Sequence, residues 1–234
     1  MQSIYFVDSN FTYESSKKSI LSIRYATDGF SFCVHDETGK LVVFVHEPYA
    51  ADSREAAVAR LKNYVVNDAI LNLRFKKVYI MPCFKEKLLV PGAFFDKANI
   101  TTLYTVNQEV SPDDTILYHH IEGIEAYLVE TVISSFHDFV REHFPVFQIV
   151  NGAYPFILGA MSKALRDTEQ IFLDIQDNYF DLLFIRDSGI QLFNTFSYKA
   201  TTDIVYFLLN CIKECGINQE KAHLSICGPA LKDN

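Results

Sequence analysis

The sequence predicts an α/β protein in which one order of elements (three strands, a helix and a further strand) occurs twice. Short apolar or alternating segments bounded by turn residues predict the strands, and apolar residues at helical spacing predict the helices. The second occurrence follows the first at a nearly constant separation, so that Leu21 aligns with Leu173 and Gly39 with Gly189. The composition, 49% hydrophobic and 21% charged over 234 residues, is typical of a folded globular chain.

The first unit begins with three short strands joined by tight turns, predicted over residues 20–24, 30–34 and 41–45. A helix follows, which Asp52 or Ser53 can cap. Its apolar stripe comprises Val58, Leu61, Val65 and Ala69. A continuous apolar strand over residues 77–81 completes the unit.

The second unit repeats this order, with strands predicted over residues 171–175, 182–185 and 190–193 and a turn at Asp187-Ser188-Gly189. Thr201 or Thr202 is expected to cap the following helix, and Gly216 to end it. Cys211 and Cys215 lie on the apolar face of this helix and are expected to be buried thiols. A last strand is predicted over residues 222–228.

Between the two units the pattern predicts a short helix over 91–98, a strand over 115–119, a strand over 124–131 and a helix over 133–143. One long helix from Ile121 to Phe144 is the alternative for the last two. A strand over 147–150 and a helix over 155–166 follow. We place the boundary between the halves at 167, which gives domains 1–167 and 168–234 that pack together.

Charge and cysteine content restrict the classes of function. Acidic residues exceed basic ones by 8, which argues against a general nucleic-acid binder. No apolar run reaches the ~18 residues that a membrane span needs, so direct membrane insertion is not expected. Five cysteines without a Cys-x-x-Cys pair favour a reduced, cytoplasmic protein.

The element order resembles the ribonuclease-H-like fold. Two copies in one chain resemble the superfamily of actin, sugar kinases and heat-shock chaperone ATPases, and within it the bacterial actin-like proteins of pilus assembly, secretion and cell division. The segment Leu89-Val90-Pro91-Gly92-Ala93-Phe94-Phe95-Asp96 and the order around it resemble domain-of-unknown-function family 3822 of Bacteroidetes. The resemblance implies an actin-like ATPase fold but no activity. It also implies a further helix and strand after Gly228, so we expect the natural protein to be longer.

In this superfamily an Asp at the end of the first strand of each half holds Mg²⁺, and a Gly-rich turn after it lets backbone N–H groups approach phosphate. Ser22 occupies the first Asp position and Asp174 the second. The turn near Thr27 has one Gly, and the turn containing Gln176 and Asp177 has none. Gly228 is what remains of the Gly-rich adenosine loop. The candidate cofactor-binding residues are Asp174, Gln176, Asp177, Thr27 and Gly228.

These departures predict a non-catalytic cytoplasmic scaffold with a degenerate nucleotide site and a protein partner. The alternative is an actin-like protein that binds ATP through a non-standard phosphate loop, with Asp174 and Mg²⁺. ATP hydrolysis is not expected, and nuclease activity is disfavoured because Ser22 removes one metal-binding carboxylate. The cluster of Asp174, Asp177 and Asp181 fits turn chemistry, or else a residual cation site. A cleft filled by Tyr25, Tyr179 or Phe180 would favour the scaffold.

Overall fold

The computed structural model describes residues 2–228. Its strands are β1 (Ile4–Val7), β2 (Ile20–Ala26), β3 (Gly29–His35), β4 (Leu41–Pro48), β5 (Lys77–Pro82), β6 (Lys87–Pro91), β7 (Asp114–His120), β8 (Ala126–Ile133), β9 (Phe147–Ile149), β10 (Glu169–Ile175), β11 (Tyr179–Arg186), β12 (Gly189–Ser197) and β13 (His223–Cys227). Its α-helices are α1 (Tyr13–Ser16), α2 (Arg54–Asn67), α3 (Ile100–Asn107), α4 (Ser134–His143), α5 (Ala153–Ser162) and α6 (Thr201–Glu214).

Two sheets carry the internal repeat. The first has the order β1-β4-β3-β2-β5-β9 and the second has the order β12-β11-β10-β13. In each, the first strand of the repeat pairs antiparallel with the next strand along the chain and parallel with the strand after the helix. The predicted βββαβ order is therefore confirmed in both units.

A third sheet, β6-β8-β7, is inserted between β5 and β9. Helix α3 packs on it through Ile100 and Tyr104, which share a buried cluster with Val90 and Val129. Strand β8 is followed directly by α4, which confirms the predicted strand and helix and excludes one long helix from Ile121 to Phe144.

The halves meet through a shared apolar cluster. Two isoleucines, Ile121 after β7 and Ile157 in α5, pack with Phe172 and Leu183 of the second sheet. The first half has its own core beneath α2 and α4, and the second has one beneath α6. Because burial of apolar surface is the main favourable term in folding, this cluster holds the halves together as expected. The predicted boundary at 167 lies in the connection between α5 and β10.

Several local predictions were wrong. The segment 91–98 is not a helix, because Pro91 ends β6, a short 3₁₀ helix covers Gly92–Phe94, and α3 starts only at Ile100. Strand β1, helix α1 and strand β6 were not predicted at all. The predicted burial of Cys211 is confirmed, whereas Cys215 is only partly buried.

The start of α6 was also predicted wrongly. The side chain of Asp203, in the first turn of the helix, bonds back to the residues before it: its Oδ2 accepts hydrogen bonds from the backbone N–H groups of Lys199 (2.9 Å) and Ala200 (3.0 Å). Neither Thr201 nor Thr202 is the cap residue, which is Ala200. Gly216, with a φ of +60°, follows the helix as predicted.

Candidate functional site

The candidate site is the cleft between the two halves, at the carboxyl ends of β2 and β10. In the hairpin after β2, Ala26 pairs with Gly29, so the turn consists of Thr27 and Asp28 alone. In the hairpin after β10, the Gln176 N–H donates to the Tyr179 carbonyl (2.9 Å), so this turn also consists of two residues. Two-residue turns leave little backbone with which to surround a phosphate chain.

A chain of polar contacts crosses the cleft between these hairpins. Arg24 Nη2 donates to Gln176 Oε1 at 2.8 Å, and Arg24 Nη1 lies 3.3 Å from Asp28 Oδ1. On the other side, Gln176 Nε2 donates to Asp174 Oδ1 at 2.8 Å.

The strand register corrects the predicted equivalence of Ser22 with Asp174. Arg24 pairs with Ser31, and Asp174 pairs with Asp181, each at the same distance from the turn of its hairpin. Arg24, and not Ser22, is therefore the structural equivalent of Asp174 in the first half.

Asp174 lies at the end of β10, next to β13. Burial raises the pKa of the Asp174 carboxyl, and the negative charge of Asp181 raises it further. Gly228 follows β13 with a φ of +122°, and a Cβ there would collide with the Ile175 carbonyl. Cys227, which pairs with Asp174 in the parallel ladder, is exposed.

A buried ion pair closes the floor of the cleft. Lys87 Nζ of β6 lies 2.8 Å from Asp181 Oδ1 of β11, and both side chains are at most 2% exposed. Lys87 also donates to the Phe84 carbonyl (3.1 Å), and Thr195 Oγ1 donates to Asp181 Oδ1 (2.6 Å). The pair ties the inserted sheet to the second half, and its partners satisfy the charges that burial would otherwise penalise.

Aromatic side chains fill the space around this pair. The Tyr179 ring centroid lies 4.7 Å from Lys87 Nζ, and Tyr179 is buried. Tyr25 is also buried, where it packs edge-on against Phe84 and Phe136. Phe180 lies instead in the core beneath α6. Of Tyr25, Tyr179 and Phe180, it is therefore Tyr179 that occupies the cleft beside the ion pair.

A second buried polar pair lies in the inserted sheet. Glu130 Oε1 accepts the Asn151 N–H at 2.6 Å and lies 3.8 Å from His119 Nε2. Within residues 2–228, Glu130 Oε2 and His119 Nε2 are buried without a hydrogen-bond partner. Burial raises the pKa of Glu130 to about 8 and lowers that of His119, so both side chains are neutral near pH 7.

The structure brings together some of the predicted site residues. Asp174, Gln176 and Gly228 meet at one edge of the second sheet. Thr27 lies on the opposite hairpin, where its carbonyl accepts the Ala51 N–H at 2.8 Å. Asp177 is exposed on its turn, as turn chemistry predicts, and does not belong to the polar chain.

Sequence reasoning missed Arg24 and Lys87. The repeat itself carried a signal for Arg24, because the separation between Gly39 and Gly189 aligns this residue with Asp174, which was already a candidate. Lys87 belongs to β6, a strand that was not predicted, and a lysine next to Leu88 gives no sign of burial in the sequence.

Within residues 2–228, no group of three or more His, Cys, Asp or Glu side chains is placed to hold a metal ion. None of the helices described there combines the length and apolar character that a membrane span requires.

Residues 8–234 match the model of a protein family described as a protein of unknown function, DUF3822. The chain belongs to this family. No curated protein matches it.

Among solved structures, it is similar to a Bacteroides thetaiotaomicron protein with an actin-like ATPase fold and unknown function. The TM-score is 0.87 at 24% identity, and the match covers 95% of this chain and 86% of that one. This similarity confirms the predicted actin-like fold.

More distant matches include a chain of the PilM–PilN type IV pilus biogenesis complex (TM-score 0.48, 13% identity, 85% of this chain and 66% of that one). Another is an exopolyphosphatase from Cytophaga hutchinsonii (TM-score 0.43, 12% identity, 89% and 66%).

Proposed function

We propose that this DUF3822 protein is a non-catalytic, cytoplasmic protein-interaction module whose nucleotide site has degenerated. The observation that carries the proposal is the polar chain Asp28–Arg24–Gln176–Asp174, which joins the two hairpins between which the superfamily binds phosphate. The cleft is closed by the protein's own side chains.

A nucleotide would meet unfavourable chemistry here. It would have to separate Arg24 from Gln176, and its phosphates would then face the carboxyl group of Asp174. Like charges at close range repel strongly in a low-dielectric cleft. A Mg²⁺ ion would reduce that repulsion, but the position equivalent to Asp174 in the first half holds the cation Arg24 and supplies no carboxylate. ATP hydrolysis is therefore not part of the proposed function.

Exposed apolar residues support an interaction role. Helix α6 presents Val205 (49% exposed), Tyr206 (66%) and Leu209 (48%) on its outer side. Strand β1 at the edge of the first sheet exposes Tyr5 (66%) and Phe6 (45%). Clustered apolar side chains at a protein surface mark places where partners bind.

The alternative is a nucleotide-binding actin-like protein, and Arg24 is the observation that favours it. A guanidinium group binds phosphate through paired N–H donors, and a phosphate could take the place of the Gln176 amide. Asp174 would then hold Mg²⁺ through its carboxylate.

One titration separates the two functions. We expect millimolar Mg-ATP or Mg-ADP to leave the melting temperature of the full chain unchanged. A ligand at 100 times its Kd would add about 2.7 kcal/mol to the free energy of unfolding, which is readily visible. A shift that requires Mg²⁺ and is lost in Asp174→Ala would overturn the proposal. Asp177→Ala, which removes an exposed carboxylate of the same turn, is the matched control.

A further inference from the structure

A groove follows the edge strand β12 along its whole length. Its first part, about 550 Å³, is lined mainly by apolar side chains of residues 189–193 and of β6, among them Leu89. The middle part, about 250 Å³, lies beside residues 193–197. The last part, about 590 Å³, lies between Ser197 and the start of α6. Leu89 and Phe193 line both of the first two parts, and Lys85 and Ser197 line both of the last two, so the groove is continuous.

The walls of this groove are two strand edges. Strand β12 is the edge of the second sheet, and β6 is the edge of the inserted sheet. Leu89 and Pro91 of β6 lie beside the first part of β12, and Lys85 lies beside its end. The two edges therefore run in opposite directions and belong to different sheets.

The backbone of β12 directs hydrogen-bonding groups into the groove. The Tyr198 N–H donates to the Asn178 carbonyl (3.1 Å), toward the β11 side. Because N–H and C=O groups alternate in direction along an antiparallel strand, those of Phe193, Thr195 and Ser197 point away from β11. The Thr195 N–H is covered only by the side chain of its neighbour, at 2.9 Å from Asn194 Oδ1.

A bulge defines where this edge can pair. Phe184 pairs with Leu192 and Ile185 with Ile190, which leaves Gln191 as an extra residue in β12. Bulges disturb pairing at sheet edges and protect them from unwanted association. The edge available for pairing is thus the stretch 192–197, with an apolar depression at one end.

The opposite end of the groove is basic and aromatic. Lys85 and Lys199 are exposed there beside Tyr206 and Phe207. The one carboxylate lining this end, Asp203, is engaged by the backbone N–H groups at the start of α6. In a chain with a net charge of −8, two lysines at the mouth of one groove favour an acidic ligand.

We infer that this groove binds an extended peptide of a partner protein as a strand added to β12. The peptide runs antiparallel to β12, with acidic residues near Lys85 and Lys199 and apolar residues near Leu89 and Leu192. Main-chain hydrogen bonds would supply affinity, and the apolar and basic ends of the groove would supply specificity. This inference rests on the proposed function, because it names the partner's chemistry.

The test uses a displayed library of random dodecapeptides selected on the full chain. We expect enriched peptides to carry Asp or Glu in their amino-terminal half and apolar residues in their carboxyl-terminal half. Binding of a selected peptide should slow amide exchange at Phe193, Thr195 and Ser197 in the wild-type protein, because those N–H groups face the groove. Absence of enrichment, or protection confined to other surfaces, would overturn the inference.

Variants give a second readout of the same binding. Lys85→Glu combined with Lys199→Glu should raise the peptide's Kd at least tenfold, whereas Lys18→Glu combined with Lys221→Glu, exposed lysines outside the groove, should not. Ser197→Pro removes one outward N–H and should also raise the Kd tenfold, whereas Ser197→Ala keeps that N–H and should not. Equal Kd values in the variants and their controls would contradict the inference.

Failure of the inference is distinguishable from failure of the proposed function. A magnesium-dependent response to ATP would overturn the non-nucleotide role whatever the peptide selection yields. A failed selection without any response to ATP would remove this groove as the docking site and leave the proposed interaction role to another surface.

Discussion

Glu130 is a buried carboxyl group whose ionisation is strongly displaced by the fold. Its carboxyl is 1% exposed and its pKa is raised to about 8, chiefly by burial, from an ordinary value of 4.5. Between these two pH values the carboxyl is protonated in the folded state and ionised in the unfolded state. Unfolding then releases a proton, so this group's contribution to stability is complete below pH 4.5 and is lost as the pH rises through about 8.

We therefore expect Glu130→Gln to change the pH dependence of stability. The wild-type free energy of unfolding should fall relative to that of the variant by about 1.4 kcal/mol per pH unit between pH 5 and 7.5. Urea unfolding of both proteins across this range measures the difference. Glu122→Gln removes an exposed carboxyl and is the control. Parallel curves for Glu130→Gln and the wild type would show that Glu130 ionises normally in the folded state.

At the scale of elements, substitutions at the start of α6 test whether Asp203, and not a threonine, stabilises the beginning of this helix. Asp203→Ala removes the acceptor for two backbone N–H groups and should lower the melting temperature by about 2 to 4 °C. Thr202→Ala, at one of the two positions that the sequence pattern predicted as the cap, should change the melting temperature by less than about 1 °C. Equal losses in the two variants would indicate that the threonines contribute to capping after all.

The elements also show what could be predicted from sequence. Apolar patterns and turn residues located β2–β5 and β10–β12, because their apolar residues face cores. Strand β13 was also located from its apolar residues, although Leu224 and Ile226 are about half exposed. Strand β1 has four residues and little burial, so no pattern marks it. Helix α3 begins Ile100-Thr101-Thr102, and β-branched residues weaken its helical signal.

The site could be predicted in part for a related reason. The repeat located Asp174 and Gln176 at the end of β10 because that position depends on local order alone. The contact of Gln176 with Arg24 depends on how closely the halves approach, which packing between distant segments decides.

At the scale of the whole molecule, the ion pair of Lys87 and Asp181 connects the inserted sheet with the second half. Lys87→Met leaves the buried Asp181 carboxylate without its cation and should cost about 3–5 kcal/mol of unfolding free energy. The double variant Lys87→Met/Asp181→Leu should recover much of that loss, because no charge is then left unpaired in the interior.

Denaturant unfolding of the wild type, both single variants and the double variant gives the coupling energy of this pair. If the loss of unfolding free energy in the double variant equals the sum of the losses in the two single variants, the two side chains stabilise the fold independently. A change in the slope with denaturant concentration would show that the inserted sheet unfolds separately from the rest.

The structural equivalence of Arg24 and Asp174 has a consequence for a molecule built from two copies of one unit. In an assembly of two identical subunits, this position would carry the same charge on both sides of the cleft, and like charges at close range repel each other. Once both halves lie on one chain, the two positions are free to differ. Here one carries a guanidinium group and the other a carboxyl group, and the Gln176 amide bridges them by accepting from Arg24 and donating to Asp174, each at 2.8 Å. Joining the copies thus permits an asymmetric polar bridge between equivalent positions.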